Sequence, residues 1–488
     1  MKIAFIYTEV FPFAKTGGLA DVAGSLPKEI ANMGCEVKVF MPRYNIIDEE
    51  KYHLKYYLEM GEIVVTVNGF KRFVQVYRAK LPVSDTEVYF VDCPHYFFRG
   101  QIYTNDPDED ERFILFSKGV IEILRRLMWA PDIIHCNDWQ TALIPLYVKE
   151  NYNNDGFFKK TGFLFTIHNI GYQGIFSKKT LLSAGIDEKF FYPGSPVELY
   201  GNFNFMKAGI MYSDIITTVS PTYAREILTP EYGAGLENVL KTRENDFFGI
   251  LNGVDYSTWD PSNDKLIPFR YTPEYLSGKT KNKKFLLEHF KLEFDKDIPL
   301  VAIISRLVSQ KGFDLVAEAF NQLMNIDAQW MIIGSGENKY EQMFNNIFHK
   351  FHKRGAVHIG YNNELAHLTE AAADIFLMPS LYEPCGLNQI YSLKYGTVPV
   401  VRKTGGLNDT VEDWHASKTT GLETGTGFSF EKYSGFALVK CLLRATETFK
   451  DKPTWEKIQR NGMHKEYTWK NAARIYLDLY HKLRPETI

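Results

Sequence analysis

Several things are scarce in this sequence, and each scarcity closes off a class of function. Among 488 residues there are five cysteines, Cys35, Cys93, Cys136, Cys385 and Cys441, with no CxxC pair. That number and spacing argue against a disulfide scaffold and against a zinc ribbon, and they suit a reducing compartment. No apolar run approaches the ~18 residues of a membrane span. The opening MKIAFIYTEV meets Glu9 and then Lys15 too soon to read as a signal segment. Charge of either sign is not in excess: 56 Lys and Arg face 59 Asp and Glu, a net −3. No basic field is present to draw nucleic acid or an anionic membrane. A soluble, cytoplasmic protein with neither kind of partner is the expectation.

Common cofactor signatures are missing as well. GxxxxGK[ST] does not occur, which removes a P-loop. Gly334-Ser335-Gly336 lacks the third glycine of a nicotinamide fingerprint. No HExxH and no His/Cys cluster marks a metal. The run 106–111 holds five acids in six residues and contains a DxD spacing, a pattern more typical of a solvated loop than of a cation site.

What is present is an ordinary globular balance, 45% hydrophobic and 24% charged, over a length that implies two or three domains. Short β-branched runs at 2–8, 36–41, 132–136, 162–167 and 214–219 alternate with helical stretches near 19–33, 110–128, 138–150 and 203–212. Runs at 62–68, 71–79 and 86–91 follow one another closely, which suggests an antiparallel insertion. The alternation resumes at 298–304, 328–333, 356–359, 374–378 and 398–401. So many β–α units exceed one comfortable sheet, and the expectation is two doubly wound, Rossmann-like domains. The polar, Pro- and Lys-rich stretch 260–284 follows a hinge near 252–262. The domains are then 1–255, 256–468 and a terminal amphipathic helix, 469–488, that either caps its own domain or crosses back to the first.

KTGGLAD at 15–21 recurs as KTGGLND at 403–409, six positions of seven, each time after a strand and before a helix. Paired glycines let backbone N–H groups approach an anion, and a helix N-terminus adds a positive dipole. Lys15 and Lys403 stand just ahead. Both loops are therefore expected to bind an anion, and to face one another across an interdomain cleft that closes on substrate. Four polar groups also fall at the C-terminal ends of expected strands, where open α/β sheets take ligands. These are Asp138, His168 with Asn169, Arg306 with Lys311, and Glu383.

Read together, KTGGLADV, IIHCNDWQ, TIHNIGYQG, VSPTYAREI, LNGVD, SRLVSQKG, YEPCGLNQIYSLKYG and KTGGLNDTV resemble the bacterial glycogen synthase and starch synthase family, over residues 1 to about 480. The resemblance implies a retaining glycosyltransferase of the GT-B fold. It implies transfer of glucose from ADP-glucose to the non-reducing end of an α-1,4-glucan such as glycogen or a maltooligosaccharide, with no cofactor and no metal. By the same resemblance Arg306 and Lys311 grip the diphosphate, Gly17 and Gly18 offer it backbone N–H groups, and Lys15 lies near the reacting centre. Glu383, with the N–H groups of Cys385, Gly386 and Leu387, holds the glucose. Thr404, Gly405 and Gly406 complete the donor site. His168 contacts the sugar, Asn252 a donor hydroxyl, and Tyr361 stacks on adenine. Asp21, Asp138 and Asn169 serve the acceptor or support the others.

Two positions depart from the family's pattern. Tyr391 stands where many relatives have a second Glu, so ribose must be recognised elsewhere. Asn137 and Gln140 replace histidines of a common HDWH, which is expected to alter acceptor contacts. A phosphorylase-like enzyme would need a lysine for pyridoxal phosphate, and none is nominated. A silent glucan-binding protein would have lost Lys15, His168, Arg306, Lys311 or Glu383, and all five are present.

Overall fold

The apolar runs are nearly continuous because most of these strands are covered on both faces. Along Leu300–Ile304, Leu300 and Ala302 join one buried cluster with Met331, Ile333 and Phe376. Val301 and Ile303 join another with Trp330, Ile332 and Leu377. Period-2 geometry sends alternate residues to opposite faces, so two-sided burial erases the polar alternation of a half-exposed strand. The computed structural model describes residues 1–152 and 156–484.

The chain forms two compact units, one of Met1–Gly253 with the chain from Trp469 onward, the other of Val254–Thr468. In the first, one sheet runs in the order Phe247–Gly249, Ile215–Thr218, Gly162–Ile167, Ile133–Asn137, Lys2–Ile6, Glu36–Pro42, Glu87–Asp92, Phe70–Lys80, Lys55–Tyr56, with Ile63–Val67 also on Phe70–Lys80. It is parallel as far as Glu87–Asp92. Beyond that the pairing is antiparallel. The expected insertion is thus a hairpin region grafted on a parallel edge, and the run at 86–91 belongs to both patterns rather than to the insertion alone.

In the second unit six parallel strands run Gly355–Ile359, Gln329–Gly334, Leu300–Ile304, Ile375–Met378, Val398–Arg402, Phe428–Phe430. The last is only three residues long and has no sequence run to announce it. The terminal helix Trp469–Leu483 returns to the first unit and packs on helix Gly18–Asn32. A buried chain of polar groups anchors it: Tyr480 OH meets His135 Nδ1 at 2.7 Å, and His135 Nε2 meets Thr166 Oγ1 at 2.7 Å. His135 has no exposure, and burial holds its imidazole well below its usual range and so neutral.

Candidate active site

In the first unit the groups of interest follow three neighbouring parallel strands. After Lys2–Ile6 the chain reaches Glu9, which is 3% exposed. Its carboxylate accepts from the N–H of Thr16 (2.5 Å) and of Gly17 (3.0 Å), from Thr16 Oγ1 (2.8 Å) and from Tyr103 OH (2.7 Å). The Thr16 and Gly17 N–H groups of the first KTGGL loop are thus taken by a side chain of the chain itself, where the Gly17 N–H was expected to meet a donor phosphate. Lys15 Nζ projects outward and donates to both oxygens of Asp21 at 2.7 and 2.8 Å. Burial pushes the Asp21 carboxyl up even so. Nothing lies within 4 Å of a Cβ built on Gly17, so one side of the loop is open.

Strand Ile133–Asn137 ends at Asp138, and strand Gly162–Ile167 ends at His168. Their register sets Asn137 against Thr166, which brings Asp138 and His168 together. The Asp138 carboxylate accepts the backbone N–H of His168 at 2.7 Å, and that of Asn169 as well. Burial, opposed by those two donors, moves its carboxyl up to about 7. Asp138 also sits at φ 56°, ψ 175°, a backbone geometry that costs a non-glycine residue about 1–3 kcal/mol and concentrates at functional sites. Among the described residues the His168 ring bonds through Nε2 to Asn137 Oδ1, at 2.9 Å, and to no other group. Desolvation lowers its imidazole to about 3, so it is neutral at any physiological pH. Asn252 is 6% exposed, and its Oδ1 has no hydrogen-bond partner among the described residues.

In the second unit, strand Leu300–Ile304 leads to Arg306, whose guanidinium is exposed and makes no ion pair or hydrogen bond among the described residues. Lys311 follows, and Gly312 after it takes φ 74°, in the left-handed region. A Cβ on Gly312 would run into the carbonyl of Pro379, so glycine lets the Lys311 turn pass close to the neighbouring strand end. There Lys311 Nζ meets Glu383 Oε2 at 2.7 Å, and Ser380 Oγ donates to the same oxygen at 3.0 Å. Glu383 is 6% exposed. Gln389 Nε2 ties the following loop by donating to the carbonyls of Cys385 (3.0 Å) and Gly386 (2.9 Å). Tyr361 lies well exposed after strand Gly355–Ile359, its OH on Asn363.

The second KTGGL loop behaves differently from the first. Gly406 N–H donates to the carbonyls of Glu383 and Pro384 at 3.1 and 3.2 Å. A Cβ on Gly405 would overlap the Glu383 carbonyl, and one on Gly406 the Cys385 carbonyl. These glycines let two loops pack backbone to backbone, with Thr404 fully buried beside them. The loop therefore braces the Glu383–Gly386 turn. Cys385 itself is buried.

Residues 2–242 match the starch synthase catalytic domain family and residues 285–462 match glycosyl transferases group 1. Glycogen synthases of Thermosipho africanus and Thermotoga maritima are each 42% identical over 99% of this chain and 99% of their own length. The catalytic domain of starch synthase IV from Arabidopsis thaliana, solved with ADP and acarbose, superposes with a TM-score of 0.92 at 32% identity, covering 99% of both chains. The chain belongs to the glycogen synthase and starch synthase family. Its fold is accordingly GT-B, the fold of retaining hexosyltransferases of this family.

For a glycogen synthase relative, the sequence left several supporting residues unnoticed. Glu9, Tyr103, Ser380 and Gln389 carry no local motif, and only long-range pairing gives them a place. Asn137 was expected to alter acceptor contacts; it is 1% exposed and turns instead to His168. Gln140 is buried as well, and its Oε1 has no hydrogen-bond partner among the described residues. The acids of 106–111 are each engaged. Asp106 and Asp108 pair with Arg99, Glu109 with Arg112, Asp110 with Thr180, and Glu111 with Asn68 and Tyr96. Three of them form the first turn of helix Glu109–Arg126, where negative charge suits the helix dipole. Among the described residues no group of three or more His, Cys, Asp or Glu is placed to hold a metal ion, and no helix is long and apolar enough to cross a membrane.

Proposed function

We propose that this chain transfers glucose from ADP-glucose to the non-reducing end of an α-1,4-glucan with retention, without a metal ion, and in the cytoplasm. The observation that carries the reading is the pair of cations in the second unit: Arg306, exposed and without an ion pair among the described residues, and Lys311, paired with a buried Glu383. An unpaired guanidinium at the ligand end of a parallel strand suits a diphosphate, which it can meet with two parallel hydrogen bonds. Lys311 adds a second charge, and both act most strongly when the leaving group carries its full negative charge. Glu383, held from one side by Ser380 and Lys311, keeps acceptor capacity for sugar hydroxyls. The ADP of the solved starch synthase IV complex, and the family's synthases at full-length identity, support this donor.

Retention follows most simply from reaction on one face. The C1–O bond to the phosphate breaks, the acceptor 4-hydroxyl oxygen bonds to C1 from the same side, and its proton passes to the departing phosphate. Double displacement would need a carboxylate poised as nucleophile on the ring face opposite the leaving group. The second unit offers Glu383, and that group is engaged by Lys311 and Ser380. In the first unit Gly17 and Gly18 are assigned to the donor phosphates, Lys15 to the reacting centre, and His168 and Asn252 to the sugar, with Asp21, Asp138 and Asn169 on the acceptor side or in support. The five unbridged cysteines suit a reducing compartment. Turnover of ADP-glucose and UDP-glucose, measured side by side with glycogen as acceptor, tests the reading. Preference for ADP-glucose is expected, and activity with UDP-glucose alone would overturn the donor assignment.

A further inference from the structure

Asn137 lies inside the first unit, 1% exposed, at the last position of strand Ile133–Asn137. Its Nδ2 faces two backbone carbonyls, Ile6 O at 3.2 Å and His135 O at 3.3 Å. Only the amide nitrogen can donate there; turning the amide over would set its oxygen against two carbonyl oxygens. The orientation is thereby settled, and Oδ1 is the atom directed at His168 Nε2, 2.9 Å away. Since Oδ1 can only accept, Nε2 must carry the hydrogen. In a neutral imidazole the other nitrogen is then a bare acceptor. His168 Nδ1 has no partner among the described residues.

We propose that Asn137 is a positioning residue that locks His168 in its Nε2–H tautomer, so that Nδ1 can accept a hydrogen bond and cannot donate one. The group it meets must therefore be a donor, a sugar hydroxyl, and not a phosphate oxygen. This rests on the glucosyl-transfer reading, and it specifies which part of a nucleotide sugar reaches this corner of the first unit. Desolvation works in the same direction: a ring that stays neutral down to about pH 3 does not supply a second N–H by taking up a proton. A histidine at position 137 could serve as acceptor only through one nitrogen of its own, whereas the amide donates and accepts at once and leaves no choice of tautomer.

The test uses the full-length protein with 15N-labelled histidine. Long-range proton–nitrogen spectra at neutral pH report which ring nitrogen carries hydrogen, and the His168 signal is assigned by its loss in His168→Gln. The parent protein should show a single neutral Nε2–H form; an Nδ1–H form or an imidazolium overturns the proposal, whatever the enzyme's activity. In Asn137→Leu the ring should become a mixture of tautomers, and kcat/KM for the glucose donor should fall about tenfold, the weight of one hydrogen bond. Asn137→Asp, which keeps an acceptor but adds charge, should shift the ring towards imidazolium. A series of donors, each lacking one sugar hydroxyl, separates positioning from general damage. For one member the Asn137→Leu penalty should vanish, because the bond it weakens is already gone. An equal penalty across the whole series overturns the proposal. A protein with no transferase activity that still shows the Nε2–H ring supports the tautomer lock and refutes the functional reading, so the two fail separately.

Discussion

Arg306 and Lys311 carry the same charge but differ in what the folded chain asks of them, and substitution by alanine should separate the two roles. Arg306 is exposed and makes no ion pair or side-chain hydrogen bond among the described residues, so Arg306→Ala breaks no such bond, and surface changes of this kind stay within about 0.5 kcal/mol. Lys311 sits 2.7 Å from Glu383, with side chains 16% and 7% exposed. Breaking a fully buried pair costs about 3–5 kcal/mol by stranding the other charge. Lys311 keeps some solvent contact and Ser380 still donates to Glu383, so about 2 kcal/mol is the better figure. A domain of this size shifts by roughly 2–4 °C per kcal/mol, which gives a fall in Tm of about 4–8 °C for Lys311→Ala. Activity should behave otherwise. Each cation faces charge that develops on the leaving diphosphate, so each substitution should lower kcat about a hundredfold, ~3 kcal/mol, with a smaller change in KM. Adding Glu383→Gln to Lys311→Ala should recover most of the lost Tm and none of the lost kcat. Scanning calorimetry and steady-state transfer from ADP-glucose to glycogen measure both quantities. An unchanged kcat in folded Arg306→Ala, or equal losses of Tm in the two single variants, would refute the reasoning.

Turnover should survive exhaustive chelation, since the acids at 106–111 are committed to Arg99, Arg112, Thr180, Asn68 and Tyr96; loss with EDTA and recovery with Mg²⁺ would reopen that segment as a cation site. Gly405→Val should destabilise the second unit by forcing the loop off Glu383, while Gly17→Val, with open space beside it, should leave Tm within about 1 °C and reduce turnover; equal effects on Tm would contradict the contrast. The Asp138 carboxyl, raised to about 7, keeps its proton in the folded chain where the unfolded chain has lost it. Folding stability from this group therefore falls as pH rises from about 4 to about 7, and Asp138→Asn should gain Tm relative to the parent across that window. A difference in Tm that is constant with pH would refute that assignment.

What could be read from the sequence follows the reach of each interaction. Strands such as Leu300–Ile304 and Gln329–Gly334 were legible because burial on both faces writes itself as a continuous apolar run. The three-residue strands Phe247–Gly249 and Phe428–Phe430 were not, since pairing with a neighbour far along the chain makes them strands. Lys311 and Glu383 were singled out separately at two strand ends, and 72 residues separate them in the chain while 2.7 Å separates their atoms. The repeated KTGGL suggested one task performed twice. Its surroundings differ, however: Glu9 takes the Thr16 and Gly17 N–H groups of the first loop, and the Glu383–Cys385 backbone covers the glycines of the second. The string encodes a backbone shape, and what the shape serves is decided by residues outside it. Asn137 shows the same limit from the other side, because its partners Ile6 and His168 lie 131 positions before it and 31 after it.

The most direct test of the account is the product of the first transfer. With ADP-glucose and a short maltooligosaccharide, proton NMR should show one new α-1,4-linked glucose at the non-reducing end, formed in step with ADP release and with no metal added. A new β-linkage, or ADP released only together with free glucose, would contradict the account.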